Sequence, residues 1–492
     1  MHLVCSVFVP LGVLVSWWSI LFAAPAYAAP AGRAQFQVNA FTAGDQAYPA
    51  ACVDAQGRAT LAWESRGMDG AGNAVVTRRY DRDDAPLSGE VVVNSTRAGD
   101  QQAPAITCTA GGDYVVVWES RVQDGDDFGI AAQRFGADGG PRGGEMTVNA
   151  YTAGRQRAAA TCSDAAGNFV VAWQSDAQDG DGDGVFAQRF GADGARRGDE
   201  SRVNQTSEDS QARPALACTI AGDFVVAWQS RGQDGDGDGI FARRFTADGL
   251  PAGDEQRVNV ETAGNQQFVA LAALAGGGFI AAWESRDGQD GDGAGIFARR
   301  LAADGTPLGD ELSVPSFTAF DQELPAVAAL DGGFVVAWSS FHDGDEVGVF
   351  ARRFDAAAAP TGAEFQVNTY TQGVQGALSA EPHPLAIAAG PAGDVLIAWH
   401  STRLRGVSQD GDGFGVFARG GAAPGAECPG DCNADRTVSI DELIAGVNLA
   451  LLDAAGAACA ALDTNADGRV TVPELIAAVA AALNGCPGAE TA

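Results

Sequence analysis

A tryptophan that recurs at a fixed spacing constrains the fold of this 492-residue chain more than any other feature. The first six copies lie 55 residues apart, and the seventh follows after 61. They are Trp63, Trp118, Trp173, Trp228, Trp283, Trp338 and Trp399. A fixed period of this length is typical of repeat architectures, in which each unit buries its apolar face against its neighbours. The fold must therefore be one that seven similar units can build together.

Each repeat divides into four strand-like segments. In the third repeat they are residues 145–149, 158–162, 169–173 and 185–190, separated by Gly, Asp and Ala. Short runs rich in Val, Phe and Trp, bounded by Gly and Asp, predict strands. Residues 224–228 (FVVAW) are apolar throughout, which is typical of a strand buried on both faces. We therefore predict an all-β, seven-bladed β-propeller over residues 29–419.

The ends of the array predict that the ring of blades closes. A segment of the type Glu-Phe-Gln-Val-Asn occurs seven times, and its first copy, residues 35–39, precedes the first tryptophan. No copy follows the last predicted strand, residues 416–419. We expect residues 35–39 to complete the seventh blade as its outer strand, which leaves no open sheet edge.

Four sets of repeated residues are expected to be structural. A Gln and a Ser occur in all seven repeats, and side chains needed in every blade are expected to satisfy backbone groups in turns. A repeated arginine is expected to pair with nearby aspartates. Cysteines in the same strand of the first four repeats are expected to be free, buried thiols, with bridges between neighbouring blades as the alternative. The residues are Gln46, Gln101, Gln156, Gln211, Gln266, Gln322 and Gln375; Ser65, Ser120, Ser175, Ser230, Ser285, Ser340 and Ser401; Arg134, Arg189 and Arg244; and Cys52, Cys108, Cys162 and Cys218.

Charge and the N-terminus indicate an exported protein. The net charge of −32 argues against nucleic acid and anionic membranes as partners. Residues 1–28 are an apolar run ending in Ala-Tyr-Ala, which predicts a signal peptide cleaved after Ala28; an uncleaved anchor is the alternative. We expect no membrane insertion after cleavage and a secreted or cell-surface location, extracellular or periplasmic, where cysteines meet an oxidising environment.

The C-terminal segment carries the most specific motif. After a linker, residues 420–427, the module 428–486 contains two loops with oxygen side chains at positions 1, 3, 5, 9 and 12, followed by a short tail, 487–492. This spacing predicts two Ca²⁺ sites, in which position 7 contributes its carbonyl oxygen. The ligand positions are Asp431, Asn433, Asp435, Thr437, Ser439 and Glu442, and Asp463, Asn465, Asp467, Arg469, Thr471 and Glu474.

Each loop runs into a predicted helix, residues 440–452 and 472–483, and this doubled loop–helix pattern resembles the type I dockerin module. The resemblance implies a small all-α unit that folds with Ca²⁺ and docks onto a cohesin-like or other surface protein, often with a polysaccharide-degrading enzyme. Cys428, Cys432, Cys459 and Cys486 are expected to form two disulfides; of three connectivities, Cys428–Cys486 with Cys432–Cys459 would clasp the ends of the module. The blades also resemble W-x-S, QDGDG and IFAQRF repeats of large secreted bacterial proteins.

The turns that follow the tryptophans are rich in aspartate, and two interpretations stay open. The sequence QDGDGDG places carboxylates at alternate positions in blades 3 and 4, as in the start of a calcium loop, but no glutamate occupies position 12. An Asp-Gly turn chosen for its backbone geometry explains the same pattern. The possible metal ligands are Asp179, Asp181 and Asp183, and Asp234, Asp236 and Asp238.

The seventh repeat alone carries insertions, which contain His383, Arg403 and Arg405 and are expected to line a ligand face beside the Asp/Gly turns. No catalytic motif is present, so no catalytic residue is assigned.

The main hypothesis is a secreted calcium-binding protein whose propeller serves as a binding or display platform, more plausibly not an enzyme. The alternative is an extracellular carbohydrate-active enzyme, a glycoside hydrolase or lyase with its site on the acidic propeller face, and a third is a purely structural surface protein. If the protein is an enzyme, we expect the residues that line its pocket to differ between blades. If it is a platform, we expect the same residues to recur in every blade.

Overall fold

The structure is a computed structural model that describes residues 33–343, 346–376, 385–402 and 409–422, and in the C-terminal segment residues 438–440, 442–445, 447, 462, 475, 478–479 and 482. The first four ranges form 29 strands and a single-turn 3₁₀ helix, Pro391–Gly393. Strand β1 is Phe36–Gln37. The next strands are β2 (Gln46–Val53), β3 (Ala59–Arg66), β4 (Asn73–Tyr80) and β5 (Val91–Val92) in blade 1, then β6 (Gln101–Cys108), β7 (Tyr114–Arg121), β8 (Phe128–Phe135) and β9 (Met146–Thr147) in blade 2.

The remaining blades repeat this order. Blade 3 contains β10 (Gln156–Ser163), β11 (Phe169–Asp176), β12 (Asp183–Phe190) and β13 (Ser201–Arg202), and blade 4 contains β14 (Gln211–Cys218), β15 (Phe224–Arg231), β16 (Asp238–Phe245) and β17 (Gln256–Arg257). Blade 5 contains β18 (Gln266–Ala273), β19 (Phe279–Ser285), β20 (Gly295–Leu301) and β21 (Pro307–Ser313), and blade 6 contains β22 (Gln322–Leu330), β23 (Gly333–Ser340), β24 (Gly348–Asp355) and β25 (Phe365–Gln366). Blade 7 contains β26 (Val374–Gln375), β27 (Leu385–Ala389), β28 (Asp394–Thr402) and β29 (Gly415–Ala422).

The seven sheets are antiparallel meanders, which confirms the predicted seven-bladed propeller. The ring closes as expected, because β1 pairs with β29 and so forms the outer strand of blade 7 (Phe36 opposite Ala418). One predicted boundary was wrong: β29 continues to Ala422, opposite Asp394, so residues 420–422 belong to the last blade and not to the linker.

The hydrophobic core lies between neighbouring sheets. All seven repeat tryptophans have no exposed surface. Trp228 of blade 4, for example, packs in one cluster with Val170 and Val185 of blade 3. Each blade therefore buries its face against the next blade, and 55 residues need not hold a core alone.

The repeated glutamine has the structural role expected of it. In blade 4, Gln211 Oε1 accepts a hydrogen bond from Asn204 Nδ2 (2.9 Å), and Gln211 Nε2 donates to the carbonyl of Glu208 (2.8 Å). In blade 1 the same oxygen of Gln46 accepts from the Trp63 indole (3.2 Å). The glutamine thus ties the inner strand to the loop before it and to the tryptophan strand.

The first residue of the outer-strand segment clamps neighbouring blades. Glu200 Oε2 accepts a hydrogen bond from the backbone N–H of Ala150, one repeat earlier (2.5 Å). Gln35 takes this role at the closure, where its Oε1 accepts from the N–H of Thr369 (2.8 Å). The ring is therefore closed by both strand pairing and side-chain hydrogen bonds.

Two disulfides join adjacent inner strands, so the expectation of free thiols was wrong. Cys52 bonds Cys108 between blades 1 and 2, and Cys162 bonds Cys218 between blades 3 and 4, with Cα–Cα distances of 5.8 and 5.5 Å. The inner strands of neighbouring blades converge near the axis, which brings these Cα atoms within bridging distance. Disulfides agree with an oxidising, extracytoplasmic environment.

Most of the predicted C-terminal module lies outside the described residues, and its all-α fold stays a prediction. Residues 440, 442–445 and 447 are helical, as are 475, 478–479 and 482. Within the described part of the chain, no helix has the length and apolar character needed to cross a bilayer.

Candidate functional site at the channel mouth

Six inner strands share an irregularity two residues after the repeated glutamine. In β10 the pairing register shifts between Arg157 and Ala160, so Ala158 leaves the ladder as part of a β-bulge. Ala158 has φ +51°, in the left-handed region. We call the equivalent residues the left-handed positions; they are Tyr48, Ala103, Ala158, Arg213, Phe268 and Leu324.

The preceding blade accepts a hydrogen bond from the N–H group at five of these left-handed positions, Ala103, Ala158, Arg213, Phe268 and Leu324. The acceptor is the residue directly after the tryptophan: Glu119 Oε1 accepts from Ala158 (2.8 Å), and Gln174 Oε1 accepts from Arg213 (3.0 Å). We call this set the mouth ring; it comprises Glu64, Glu119, Gln174, Gln229, Glu284, Ser339 and His400. A buried N–H outside the ladder needs such a partner, so the five ring residues of blades 1 to 5 each join their blade to the next.

The inner strands that the mouth ring contacts surround the central channel. A cavity of about 300 Å³ lies on the propeller axis and is lined by the inner strands of all seven blades, including Ala158, Arg213, Phe268 and Leu324. Because β10 begins and β11 ends beside the Asp/Gly turn, this mouth opens on the face that carries those turns. Its position agrees with the face expected from the sequence.

The mouth ring does not repeat its chemistry. It has carboxylates in blades 1, 2 and 5, amides in blades 3 and 4, a hydroxyl in blade 6 and an imidazole in blade 7. Glu119 is 3% exposed, and burial raises its pKa, although hydrogen bonds from Ala158 N and from Gln102 Nε2 (3.0 Å) act in the opposite direction. Glu119 therefore holds its proton to a higher pH than an ordinary glutamate.

The blade 5 side of the ring is a closed ion-pair network. Arg286 Nε lies 2.6 Å from Glu284 Oε1, and Arg286 lies 3.3 Å from Glu323 Oε1. Glu284 has no exposed surface, and its second oxygen accepts from the N–H of Leu324 (3.1 Å). This carboxylate is therefore committed to holding blades 5 and 6 together.

The blade 7 side of the ring is formed by a neutral histidine. His400 is 3% exposed, and burial lowers its pKa to about 4. Its ring contacts the left-handed Tyr48 edge-on, with 5.6 Å between ring centroids. The imidazole is uncharged at neutral pH and packs where other blades use a carboxylate or an amide.

The aspartates of the blade turns are each hydrogen-bonded within the protein. The first in each turn accepts from an asparagine of its own blade, the second from a backbone N–H of the next blade, and the third from a mouth-ring glutamine. The pairs are Asp179–Asn204 (2.8 Å), Asp181–Asp209 N (3.2 Å) and Asp183–Gln174 (3.4 Å), and Asp234–Asn259 (2.7 Å), Asp236–Gly264 N (3.1 Å) and Asp238–Gln229 (3.3 Å). Among the described residues, no group of three or more His, Cys, Asp or Glu side chains could hold a metal ion. Calcium binding by these turns stays a prediction.

Two predicted ligand residues of the first calcium loop, Ser439 and Glu442, are described, and they cap a helix. The Ser439 hydroxyl and N–H both donate to Glu442 Oε2 (2.8 and 2.7 Å), and Glu442 N–H donates back to Ser439 Oγ (3.3 Å). This reciprocal cap begins a helix where the loop pattern predicts one.

The other predicted site residues lie outside the described part of the chain. They are Asp431, Asn433, Asp435, Thr437, Asp463, Asn465, Asp467, Arg469, Thr471 and Glu474, the ligand-face residues His383, Arg403 and Arg405, and Cys428, Cys432, Cys459 and Cys486. These assignments remain sequence-based expectations.

The repeated arginines only partly follow the prediction. Arg244 pairs with Asp223 as expected. Arg134 and Arg189 instead donate to the carbonyls of Ala192 and Ala247 in the next blade, the second at 2.7 Å. They are structural, as predicted, but their acceptors are backbone oxygens.

Sequence reasoning missed the mouth ring. The pattern Trp-x-Ser was noticed for its two invariant residues, whereas the variable residue between them carries the unrepeated chemistry. A comparison of the seven repeats at that position would have found the ring, but its contact with the next blade depends on a bulge that the sequence does not mark.

No protein-family model matches this sequence, and no curated protein sequence matches it. Solved structures that resemble it include an α-L-arabinanase of Penicillium chrysogenum complexed with arabinobiose, at 14% identity and TM-score 0.45 over 66% of this chain and 99% of that one. The GH93 α-L-arabinofuranosidase of Fusarium graminearum with arabinobiose matches at 11% identity and TM-score 0.44, over 65% and 98%. The phage phi92 endosialidase matches at 10% identity and TM-score 0.44, over 79% and 69%. At these values the likeness carries no information on function.

Proposed function

We propose that this protein is an extracellular carbohydrate-active enzyme that binds a saccharide at the channel mouth, with Glu64 and Glu119 as its acid–base pair. The observation that carries the proposal is the asymmetry of the mouth ring. The repeated tryptophan, serine and glutamine are the same in every blade, whereas the mouth ring, which contacts the inner strands of the axial cavity, differs from blade to blade. Such departures from repetition are expected of a site and not of a display platform.

The chemistry of the mouth suits a sugar. Sugar rings present polar hydroxyls and apolar faces, and sites for small ligands combine apolar or aromatic walls with a few polar groups. Phe268 lines the cavity, and Gln102 and Gln267 stand on the strand beside the ring, where each donates to a ring glutamate (3.0 Å). Both hydrogen-bonding groups and an aromatic wall are therefore present.

Glu64 and Glu119 are the ring carboxylates that contact small left-handed residues. They accept hydrogen bonds from Ala103 (3.4 Å) and Ala158 (2.8 Å), whose side chains are small. The third ring carboxylate, Glu284, instead adjoins the large side chain of Leu324. In this proposal Glu119, whose pKa is raised, donates a proton to the glycosidic oxygen, and the half-buried Glu64 acts as base or nucleophile.

The test is hydrolysis of a panel of plant and bacterial oligosaccharides, followed by mass spectrometry of the products. Glu64→Gln and Glu119→Gln are each expected to lower kcat by about 100-fold or more while saccharide binding is retained. Glu284→Gln, at the same ring position in blade 5, is the matched control and should leave kcat within a few fold. Binding without cleavage by the wild type would favour the platform hypothesis, and neither binding nor cleavage would refute the saccharide site.

We also propose that the C-terminal segment binds two Ca²⁺ ions and serves for attachment. The doubled loop spacing supports this, as does the helix that begins at the cap formed by Ser439 and Glu442. Calorimetric titration of the full chain with Ca²⁺ should give a stoichiometry of about two. Glu442→Ala and Glu474→Ala should each remove one site, and an unchanged stoichiometry in both variants would contradict the assignment.

A further inference from the structure

A second cavity, of about 290 Å³, lies between blades 2 and 3, and we call it the interblade pocket. It lies beside the turn from β6 to β7, at the end of the blades opposite the Asp/Gly turns. Its polar lining includes Thr107, Thr109, Asp113, Arg134, Arg142 and Ser163. None of these residues lines the axial cavity, so the two cavities are separate.

The interblade pocket occupies a place that the neighbouring blades fill with their own side chains. In blades 1 and 3, two residues of the equivalent turn bond each other; the pairs are Asp54–Arg58 (2.6 Å) and Asp164–Asn168 (2.7 Å). Each pair lies against a glycine of the next blade, Gly112 and Gly222 respectively, within 3.2 Å of where its Cβ atom would be. Blade 2 has Thr109 and Asp113 at these positions, and within the described chain their side chains do not bond each other. The space is therefore left open between blades 2 and 3.

Next to this turn, a pair of hydroxyls replaces a disulfide. Thr107 and Ser163 occupy the repeat positions of the bridges Cys52–Cys108 and Cys162–Cys218. Thr107 Oγ1 and Ser163 Oγ lie 3.0 Å apart. The interface between blades 2 and 3 is thus polar where the interfaces on both sides of it are covalently bridged.

The hydroxyl protons of the interblade pocket are used within the protein. Ser163 Oγ donates to the carbonyl of Cys108 (3.4 Å), so the proton shared by the two hydroxyls comes from Thr107. Thr109 Oγ1 donates to the carbonyl of Asp113 (3.3 Å), and Asp113 Oδ1 accepts a backbone N–H (2.7 Å). The lone pairs of Thr107 and Thr109 and the second oxygen of Asp113 therefore remain as acceptors.

Two arginines supply donors to the same pocket. In blade 4, Arg244 pairs with Asp223, whereas the equivalent Arg134 donates to a backbone carbonyl of blade 3 and forms no ion pair in the described part of the chain. Arg142 is 58% exposed and lies 4.0 Å from Asp138. A guanidinium has five N–H donors, so both arginines retain donors for a ligand.

Aromatic rings complete the lining of the interblade pocket. Tyr114 and Phe135 both line it, and their rings stack with 4.8 Å between centroids and 8° between planes. A small cavity with an apolar wall and a few polar groups is typical of sites for small ligands.

We infer that the interblade pocket binds a neutral sugar residue. Each hydroxyl of a sugar both donates and accepts, which matches a pocket that holds donors and acceptors together. An anion would meet the acceptor oxygens of Asp113, Thr107 and Thr109, and a cation would meet two guanidinium groups. This inference goes beyond the proposed function, because the pocket lies at the end of the blades opposite the channel mouth and takes no part in cleavage.

The experiment titrates full-length protein with methyl glycosides of neutral pentoses and hexoses and detects binding by saturation-transfer NMR. We expect at least one glycoside to bind. The double variant Thr109→Asp, Asp113→Arg gives blade 2 the pair that blade 1 carries, Asp54–Arg58, and so fills the interblade pocket. It should weaken binding of that glycoside at least 10-fold and leave kcat at the channel mouth unchanged.

A smaller change keeps the test decisive if the double variant is unstable. Thr109→Val removes one acceptor and keeps the size of the side chain, so it should weaken binding by about 5-fold. Thr219→Val is the matched control, because Thr219 holds the same turn position in blade 4, where Arg244 closes on Asp223. It should leave the affinity unchanged.

The outcomes separate this inference from the proposed function. Equal binding by the wild type and the Thr109 variants, or no binding of any glycoside, overturns the sugar site in the interblade pocket. Binding of glycine or inorganic phosphate in place of the glycosides overturns the choice of ligand. Loss of glycoside binding in the Thr109 variants, in a protein that cleaves no oligosaccharide, upholds this site while the proposed function fails.

Discussion

In every repeat the mouth-ring residue lies directly between the tryptophan and the serine, which we call the repeated frame, yet the ring varies where the frame is constant. Every blade has the same tryptophan and the same serine, and both are buried in every blade. The residue between them is Glu, Gln, Ser or His. Where all blades agree, the same side chain fills the same place in the fold, and where they disagree, the chemistry beside the cavity differs from blade to blade.

A physical reason explains why variation is tolerated in the ring. The bulge of the next blade presents one N–H group, and either a carboxylate or an amide oxygen can accept it, as Glu119 and Gln174 do. The tryptophan position has no such freedom, because an indole fills the space between two sheets.

Breaking the frame should have the largest effect. Trp228→Ala leaves a cavity between blades 3 and 4, and we expect it to lower the free energy of unfolding by about 3–5 kcal/mol. Urea denaturation measures this loss. Ile220→Ala is the control, because Ile220 is 86% exposed and should change stability by less than about 0.5 kcal/mol. Equal effects of the two variants would mean that the sheets do not pack as described.

Removing an inter-blade disulfide should have the next largest effect. The double variant Cys52→Ser, Cys108→Ser frees two blades whose cysteines are 56 residues apart, and we expect a loss of about 2–4 kcal/mol. Cys162→Ser with Cys218→Ser should behave alike, because the blades are equivalent. Thiol labelling of unfolded, unreduced wild type should leave these four cysteines unmodified; labelling of all four would show that the bridges do not form.

Blade 6 offers a test by pH, because it places His342 beside Glu364 where blades 2 to 5 place a glutamine beside the equivalent glutamate (Gln123, Gln178, Gln233 and Gln289). His342 lies between Phe317 and Phe350, with Nδ1 2.6 Å from Ser340 Oγ, and burial lowers its pKa to about 4. Its side chain is 6% exposed, and Nε2 lies 3.8 Å from Glu364. In the unfolded chain a histidine binds a proton below about pH 6.5, whereas in the fold it does so only near pH 4. Stability is therefore fully present above pH 6.5 and is lost as the pH falls towards 4, by at most about 3 kcal/mol.

His342→Gln introduces the residue found in blades 2 to 5 and should remove this part of the pH dependence. Unfolding free energies of wild type and variant, measured from pH 7.5 to 4, give the difference directly. Other groups titrate equally in both proteins and cancel. Parallel curves would show that His342 is not buried in its neutral form.

The smallest effect on stability should come from the mouth ring itself. Glu119→Gln keeps an oxygen for the N–H of Ala158, as Gln174 and Gln229 do in the next blades. We expect a change of no more than about 1 kcal/mol at pH 7, together with the loss of turnover proposed above. A large loss of stability would instead mean that Glu119, like the repeated tryptophan, mainly holds the fold together.

Much of this architecture can be predicted from the period of the sequence. The blade count, the four strands per blade and closure by residues 35–39 all follow from spacing. The disulfides could have been predicted as well. Cys52 and Cys162 lie six residues after their blade's glutamine, and Cys108 and Cys218 lie seven after theirs. Adjacent strand residues point to opposite sides, so this alternation lets a cysteine of one blade face that of the next.

The channel mouth could not be predicted in this way, because its residues meet only after the ring has closed. Glu119 and Ala158 are 39 residues apart, and their contact requires a bulge for which the left-handed residues Tyr, Ala, Arg, Phe and Leu give no common pattern. The sequence drew attention to the Asp/Gly turns, whose carboxylates are hydrogen-bonded within the protein.

By itself, then, the sequence determined what repeats: period, strand pattern, closure and the buried tryptophans, since each depends on contacts within one blade or between identical neighbours. Only the tertiary structure decided which of the unrepeated residues meet. Seven inner strands converge on one axis, and this convergence gathers side chains from distant parts of the chain around a single cavity. A site assembled by closure leaves little trace in any one repeat.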